Sequence, residues 1–195
     1  MRVGGFQKLS FIDFPETIAS VVFTQGCNWR CSWCHNPALV YPEQFESPIP
    51  EEEIFSYLIS RKKYIEGVVV SGGEPTLQAD LPDFLERVRA LGFKTKLDTN
   101  GSRPDKLAEL LDRRLLDYVA MDIKSAPETY SRLIGVSVDI CLIEESVSRI
   151  KASGIPHQFR TTHIPHLHMD EDLVAVEKLA GEPVLRQEYS AHGEG

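Results

Sequence analysis

Cys27-Asn28-Trp29-Arg30-Cys31-Ser32-Trp33-Cys34 places three thiols in one short loop, spaced C-x3-C-x2-C. Three thiols this close together can fold around one inorganic centre, whereas a structural cysteine needs no neighbour of its own kind. Iron–sulfur clusters normally take four protein thiolates. The only other cysteine, Cys141, lies far along the chain. The loop therefore suggests a four-iron cube with one iron left without a protein ligand, and an open position on a metal is where chemistry happens. Two plainer readings stand beside it. A zinc knuckle needs a fourth ligand, and His35, adjacent to Cys34, would distort the loop to reach the same ion. A disulfide would strand the third thiol, and nothing else in the chain points to an oxidising compartment.

Working outward, residues 6–23 alternate apolar and polar around Asp13-Phe14-Pro15-Glu16-Thr17, a hairpin leading into a buried strand, Ile18-Ala19-Ser20-Val21-Val22-Phe23. After the cysteines, Pro37 to Pro50 reads as an irregular surface excursion that Tyr41 and Phe45 pack down. From Glu51 the chain alternates strand and helix, the pattern of a parallel sheet with covering helices. Val68-Val69-Val70, Lys94 to Leu97, Asp117 to Met121, His157 to Thr162 and Pro183 to Gln187 are the further strands. Between them lie apolar stripes at helical spacing. The first is Ile54, Phe55, Leu58 and Ile59. The second, Phe84, Leu85, Val88 and Leu91, has Asp80 as N-cap, and Leu107, Leu110 and Leu111 form the third. Leu142, Ile143, Val147 and Ile150 follow, and Leu173, Val174, Val176 and Leu179 come last, capped by Asp170.

The expected fold is α/β: an open partial (β/α)6 TIM-like barrel over residues 18–190, with an N-terminal β-hairpin extension over 1–17, all in one domain, 1–195. At 195 residues the chain is too short for a complete eightfold barrel, which takes ~250 residues.

In such folds the site forms at the C-terminal ends of the strands, where the loops open on one face. Each polar cluster of this sequence lies just after a strand. The cysteine loop, Ser71-Gly72-Gly73-Glu74-Pro75, Asp98-Thr99-Asn100-Gly101, Met121-Asp122-Ile123-Lys124 and Arg160-Thr161-Thr162-His163 should therefore face one another. Alone, each has a plain explanation. Gly72-Gly73 serves a tight turn, Asn100-Gly101 is a turn pair, and Lys124 is a solvated lysine. Arg160 could neutralise acids on the rim as readily as grip a carboxylate. His163, His166 and His168 are spaced too irregularly for a shared metal and read as solvated or capping residues. Cys141, on a helix, reads as a buried small hydrophobe.

With Trp33 immediately before the last cysteine, the loop resembles the cluster loop of the radical S-adenosylmethionine enzymes. That resemblance implies a [4Fe-4S] cluster on Cys27, Cys31 and Cys34, its fourth iron chelated by the amino and carboxylate groups of S-adenosylmethionine, with Trp33 beside the cofactor. Gly72, Gly73 and Glu74 are similar to the family's Gly-Gly-Glu-Pro element, which holds the methionine amino group. By the same resemblance Asp98, Thr99 and Asn100 would bond ribose hydroxyls, and Lys124 and Arg160 would meet the carboxylate. Asp98 and Asp122 would share a monovalent cation, and His192 would touch adenine or ribose.

The likeness extends to Gly4-Gly5-Phe6-Gln7-Lys8-Leu9-Ser10, Cys34-His35-Asn36-Pro37, Thr76-Leu77-Gln78 and Asp117-Tyr118-Val119-Ala120. Together these resemble the anaerobic ribonucleoside-triphosphate reductase activating proteins, in the glycyl-radical-activating branch. The pattern is lost after Glu188. The implied activity is that of an oxidoreductase. A flavodoxin- or ferredoxin-type donor would reduce the cluster, S-adenosylmethionine would be cleaved to a 5'-deoxyadenosyl radical, and that radical would take hydrogen from a glycine of the partner, anaerobic ribonucleotide reductase or a related glycyl radical enzyme. The alternatives are a radical enzyme acting on a nucleobase-like small molecule, an iron–sulfur electron carrier without S-adenosylmethionine chemistry, and a structural zinc domain.

A formal net charge of -8 and the absence of a basic run argue against a nucleic-acid partner. No run approaches the ~18 apolar residues of a membrane span, and the N-terminus lacks the apolar core of a signal peptide. A cytoplasmic protein is expected.

Overall fold

A computed structural model describes residues 1–189. Its strands are β1 (Val3–Ser10), β2 (Ala19–Thr24), β3 (Gly67–Gly72), β4 (Lys94–Thr99), β5 (Tyr118–Asp122), β6 (His157–His163) and β7 (Leu185–Glu188). They form one sheet in chain order, β1 antiparallel to β2 and every later neighbour parallel. Among the described residues β1 and β7 do not pair, so the sheet stays open, the expected partial barrel. The hairpin's second arm is β2 itself, with Val3 opposite Thr24.

The helices are α1 (Glu51–Arg61), α2 (Leu81–Ala90), α3 (Pro104–Asp112), α4 (Tyr130–Ile134), α5 (Ile140–Ser153) and α6 (Asp170–Ala180). Because side chains alternate along a strand, the sheet has two buried faces. Val22, Val68, Val70, Leu97, Val119, Met121 and Phe159 join the helices in the main core, with Ile54, Leu58, Phe84, Leu107 and Ile150 opposite them. On the other face Ala19, Val21 and Val69 meet Phe14, from the loop between β1 and β2. Phe14 also packs against Tyr118, ring centroids 6.0 Å apart. This aromatic closes the floor of the half-barrel at the N-terminal ends of the strands. Gly67 is glycine for the same reason, since a Cβ there would lie 2.9 Å from both Phe14 and Thr17.

Several local expectations need correction. Cys141 is exposed, not buried, because the buried stripe of α5 is Ile143, Ser146, Val147 and Ile150, a helical face from which position 141 points away. Ile59 and Val174 are exposed for the same reason, one step past their stripes. Asp170 is the first residue of α6; the carboxylate that caps is Asp172, which accepts from the Met169 backbone N–H at 2.9 Å. Asp80 sits at the N-cap of α2 but makes no capping bond, its carboxylate going instead to the Met1 ammonium. Tyr41 and Phe45 do hold the excursion down, by taking the Arg30 and Arg2 guanidiniums over their rings.

Candidate functional site

Parallel strands deliver all their C-terminal ends to one rim. The C-terminal halves of β3, β4, β5 and β6 and the loops leaving β2, β3, β4 and β5 surround a single hollow of about 210 Å³ there, walled by Cys27, Cys31, Cys34, Trp33, Gly72, Gly73, Glu74, Asp98, Thr99, Asn100, Asp122, Lys124 and Arg160. These are all the residues expected at the site except His192, which lies outside the described residues.

The cysteine loop is held at its start and at its middle. Gly26 donates to the Leu39 carbonyl at 2.7 Å, Arg30 N–H donates to the Ile134 carbonyl at 2.8 Å, and the Arg30 guanidinium folds back onto the carbonyls of Cys27 and Trp29. Burial pushes the Cys27 thiol up to about 11 and raises Cys31 as well, against the pull of nearby Lys124. Taking up a thiophilic metal centre here therefore releases protons. The donor set fits an iron–sulfur cube. Three half-buried thiols stand together, and the fourth cysteine is on the outside of α5.

Opposite the thiols, the loop after β3 presses against the loop after β2. Gly73 N–H donates to Thr24 O at 2.9 Å and Glu74 N–H to Gly26 O at 2.8 Å. A Cβ on Gly73 would sit 2.1 Å from Gly26 O, and Gly72 has φ +114 with Thr24 N 2.3 Å from its would-be Cβ. The glycine pair is thus demanded by backbone packing, and it also leaves bare backbone facing the hollow.

Glu74 is fully buried and ties the β3 loop to the β4 loop. Its carboxylate accepts from Thr76 N–H at 3.1 Å, the Thr76 hydroxyl, the Thr99 hydroxyl at 2.7 Å and Asn100 N–H at 2.7 Å. Burial raises its pKa, and those four donors oppose the rise. Asn100 in turn donates to Asn28 Oδ1 at 3.1 Å and accepts from Ser102 N–H at 2.9 Å, fixing the β4 loop against the cysteine loop.

The remaining wall is a chain of charges. Lys96 pairs with Asp98, Arg160 reaches Asp98 at 3.6 Å and donates from Nε to Asp122 at 2.8 Å, and Lys124 Nζ donates to Asp122 at 3.1 Å. Burial pushes the Asp122 carboxyl up, but Arg160 and Lys124 outweigh it and hold it well below the usual carboxylate range. The same pairing, helped by Cys31, keeps the buried Lys124 ammonium charged. Of these cations Arg160 and Lys124 line the hollow beside Asp98 and Asp122, which leaves charged donors within reach of an anionic ligand group.

The sequence reading missed Lys96, Thr76 and Asn28. Lys96 was legible, being two residues before Asp98 and so on the same strand face. The partners of Glu74 and Asn100 depend on how separate loops meet and carry no local signal.

Comparison with known proteins agrees with this geometry. The family model described as the radical SAM superfamily matches residues 21–180. A candidate glycyl-radical enzyme activating enzyme of Methanocaldococcus jannaschii is 34% identical over 181 residues, covering 90% of this chain and 74% of that protein. The pyruvate formate-lyase-activating enzyme of Listeria monocytogenes is 34% identical over 143 residues, covering 68% of this chain but 57% of its own length. The structure of Streptococcus suis SuiB bound to S-adenosylmethionine superposes with a TM-score of 0.68 at 17% identity, over 88% of this chain and 40% of that one. That last likeness is one of fold. Among the described residues no helix is long and apolar enough to cross a membrane.

Proposed function

The chain belongs to the radical SAM superfamily, and from that premise we propose that it cleaves S-adenosylmethionine reductively to place a radical on a glycine of a partner enzyme, anaerobic ribonucleotide reductase. Family membership implies a [4Fe-4S] cluster and S-adenosylmethionine. The observation that carries the reading is the single rim hollow in which three thiols face a bare Gly-Gly backbone and the paired Arg160 and Lys124 cations.

In this reading Cys27, Cys31 and Cys34 hold the cluster, which when bound supplies the electron that splits the sulfonium into methionine and a 5'-deoxyadenosyl radical. Lys124 and Arg160 attract the methionine carboxylate, and Gly72 and Gly73 admit the ammonium to backbone without a side chain between them. Glu74 acts mainly through the loops it ties together. Thr99 and Asn100 edge the ribose side, while Trp29, Trp33 and Val40 keep water from the reacting end. No general acid or base is needed, because the step after cleavage moves a hydrogen atom. A monovalent cation between Asp98 and Asp122 is left out of the proposal, since the Arg160 guanidinium already bridges those carboxylates.

Two relatives named as activating enzymes support a glycyl-radical partner, and the likeness of residues 4–10 and 117–124 to the reductase activators supports that particular one. A flavodoxin- or ferredoxin-type donor and a cytoplasmic setting complete the proposal. The test is electron paramagnetic resonance on the reduced, cluster-loaded protein mixed with S-adenosylmethionine and anaerobic ribonucleotide reductase. A stable carbon-centred doublet that disappears when the reductase glycine is changed to alanine supports the assignment. S-Adenosylmethionine cleavage without that doublet would redirect the search to another glycyl-radical protein or a small substrate.

A further inference from the structure

We infer that Tyr130 and His168 are positioning residues that keep Lys124 in register with the cysteine loop, an inference that rests on reading the hollow as an S-adenosylmethionine site. Lys124 follows β5 in an irregular connection, where nothing in the sheet ladder fixes its backbone. Its peptide groups are nonetheless gripped from both sides. The Lys124 N–H donates to the Tyr130 hydroxyl at 3.2 Å, and the Lys124 carbonyl meets His168 Nε2 at 2.9 Å. His168 Nδ1 accepts from the Ile164 N–H at 3.2 Å. With Nδ1 engaged as an acceptor, the hydrogen-bond network assigns the ring proton to Nε2, so the imidazole is neutral and donates to Lys124.

Each of the two clamping rings also packs edge-on against one tryptophan of the cysteine loop. Tyr130 meets Trp29 with centroids 5.6 Å apart, and His168 meets Trp33 at 6.1 Å. Tyr130 is fully buried and both tryptophans nearly so. A further tie comes from α4 itself. Its C-cap Gly135 lies so close to the cysteine loop that a Cβ there would stand 2.7 Å from the Arg30 carbonyl. Lys124 and the three thiols are therefore parts of one packed body, although 90 residues of chain separate Lys124 from Cys34. A lysine side chain is long and flexible, and only a fixed backbone lets its ammonium meet a ligand carboxylate in one place.

Three single variants and one cycle test this on the reconstituted holoprotein. H168F and Y130F keep the rings and remove the polar atoms, and H168Q restores an amide donor. Iron content, the dissociation constant for S-adenosylmethionine by calorimetry, and kcat and KM for 5'-deoxyadenosine formation are the readouts. Losing one clamp should weaken S-adenosylmethionine by about three- to tenfold, in Kd and KM more than in kcat, with iron content unchanged and H168Q recovering most of the loss. In a K124M background H168F should add little, because the ring acts through Lys124. The inference is overturned if H168F costs as much in the K124M background as it does with Lys124 in place, if both ring variants bind like the wild type, or if they lose iron. Failure of the cluster-loaded wild type to bind S-adenosylmethionine at all is a separate result, which removes the functional reading and this inference with it.

Discussion

The two ends of the sheet are built on opposite principles. At the floor, Phe14, Val21, Val69 and Tyr118 fill the half-barrel with apolar surface, and a separate hollow of about 660 Å³ is walled by apolar and aromatic residues together with Arg61, Lys63 and Glu66. At the rim the hollow is smaller, about 210 Å³, but it holds thiols, paired charges and hydrogen-bonded turns. What distinguishes the rim is donor chemistry held in place, so changes at the rim should cost activity and changes at the floor should cost stability.

The sharpest break in that contrast comes from Cys31→Ala. It should abolish cluster uptake and all S-adenosylmethionine cleavage while leaving the thermal midpoint of the metal-free protein within a few degrees, measured by iron analysis, product assay and circular dichroism. Phe14→Ala is its counterpart. Truncating this buried ring should cost about 3–5 kcal/mol in denaturant unfolding, with the cluster still loadable under native conditions. An F14A protein that is fully stable but inactive would reverse the assignment of the two ends.

Gly73→Ala tests where the two demands coincide. Its methyl group has no room beside Gly26 O, so the β2 and β3 loops must separate. About 1–3 kcal/mol of stability should go together with most of the S-adenosylmethionine affinity.

A smaller effect concerns pH. Asp122 has an ordinary carboxylate value of 3.8 and is held below it in the folded protein. Its pairing with Arg160 and Lys124 therefore contributes stability that is fully present above about pH 4 and is lost as pH falls further. Stability measured between pH 5 and pH 3 should decline more steeply for the wild type than for Asp122→Asn. Equal slopes would mean that the charge chain is already neutralised from solvent. Smallest of all, Cys141→Ser should change stability by less than about 0.5 kcal/mol and iron content not at all, because Cys141 is exposed on the outside of α5.

Much of the rim could be read in advance. Parallel topology brings the C-terminal parts of successive strands and the loops after them to one rim, so Cys27, Gly72, Asp98, Asp122 and Arg160 had to converge once the strands were found, although the last four lie on the strands and not after them. The alternating period gave Val21 and Val69 one face and Val22 and Val68 the other. What could not be read was which partner each polar side chain takes. Glu74 was expected at the methionine amino group, yet its carboxylate accepts from Thr76, Thr99 and Asn100, because a carboxylate buried between two loops must find donors there. His168 looked like one of three loose histidines, and its role depends on a backbone carbonyl 44 residues away. Phe14 lay in a turn and gave no sign that it would fill a barrel floor.

The central claim is that the rim hollow binds S-adenosylmethionine against a cluster on Cys27, Cys31 and Cys34. Its most direct test is anaerobic iron–sulfur reconstitution, reduction with dithionite in the presence of S-adenosylmethionine, and assay of 5'-deoxyadenosine. The account predicts cluster-dependent formation of 5'-deoxyadenosine, abolished in Cys31→Ala. An intact cluster, verified by spectroscopy, that yields none would contradict it and leave an electron carrier in its place.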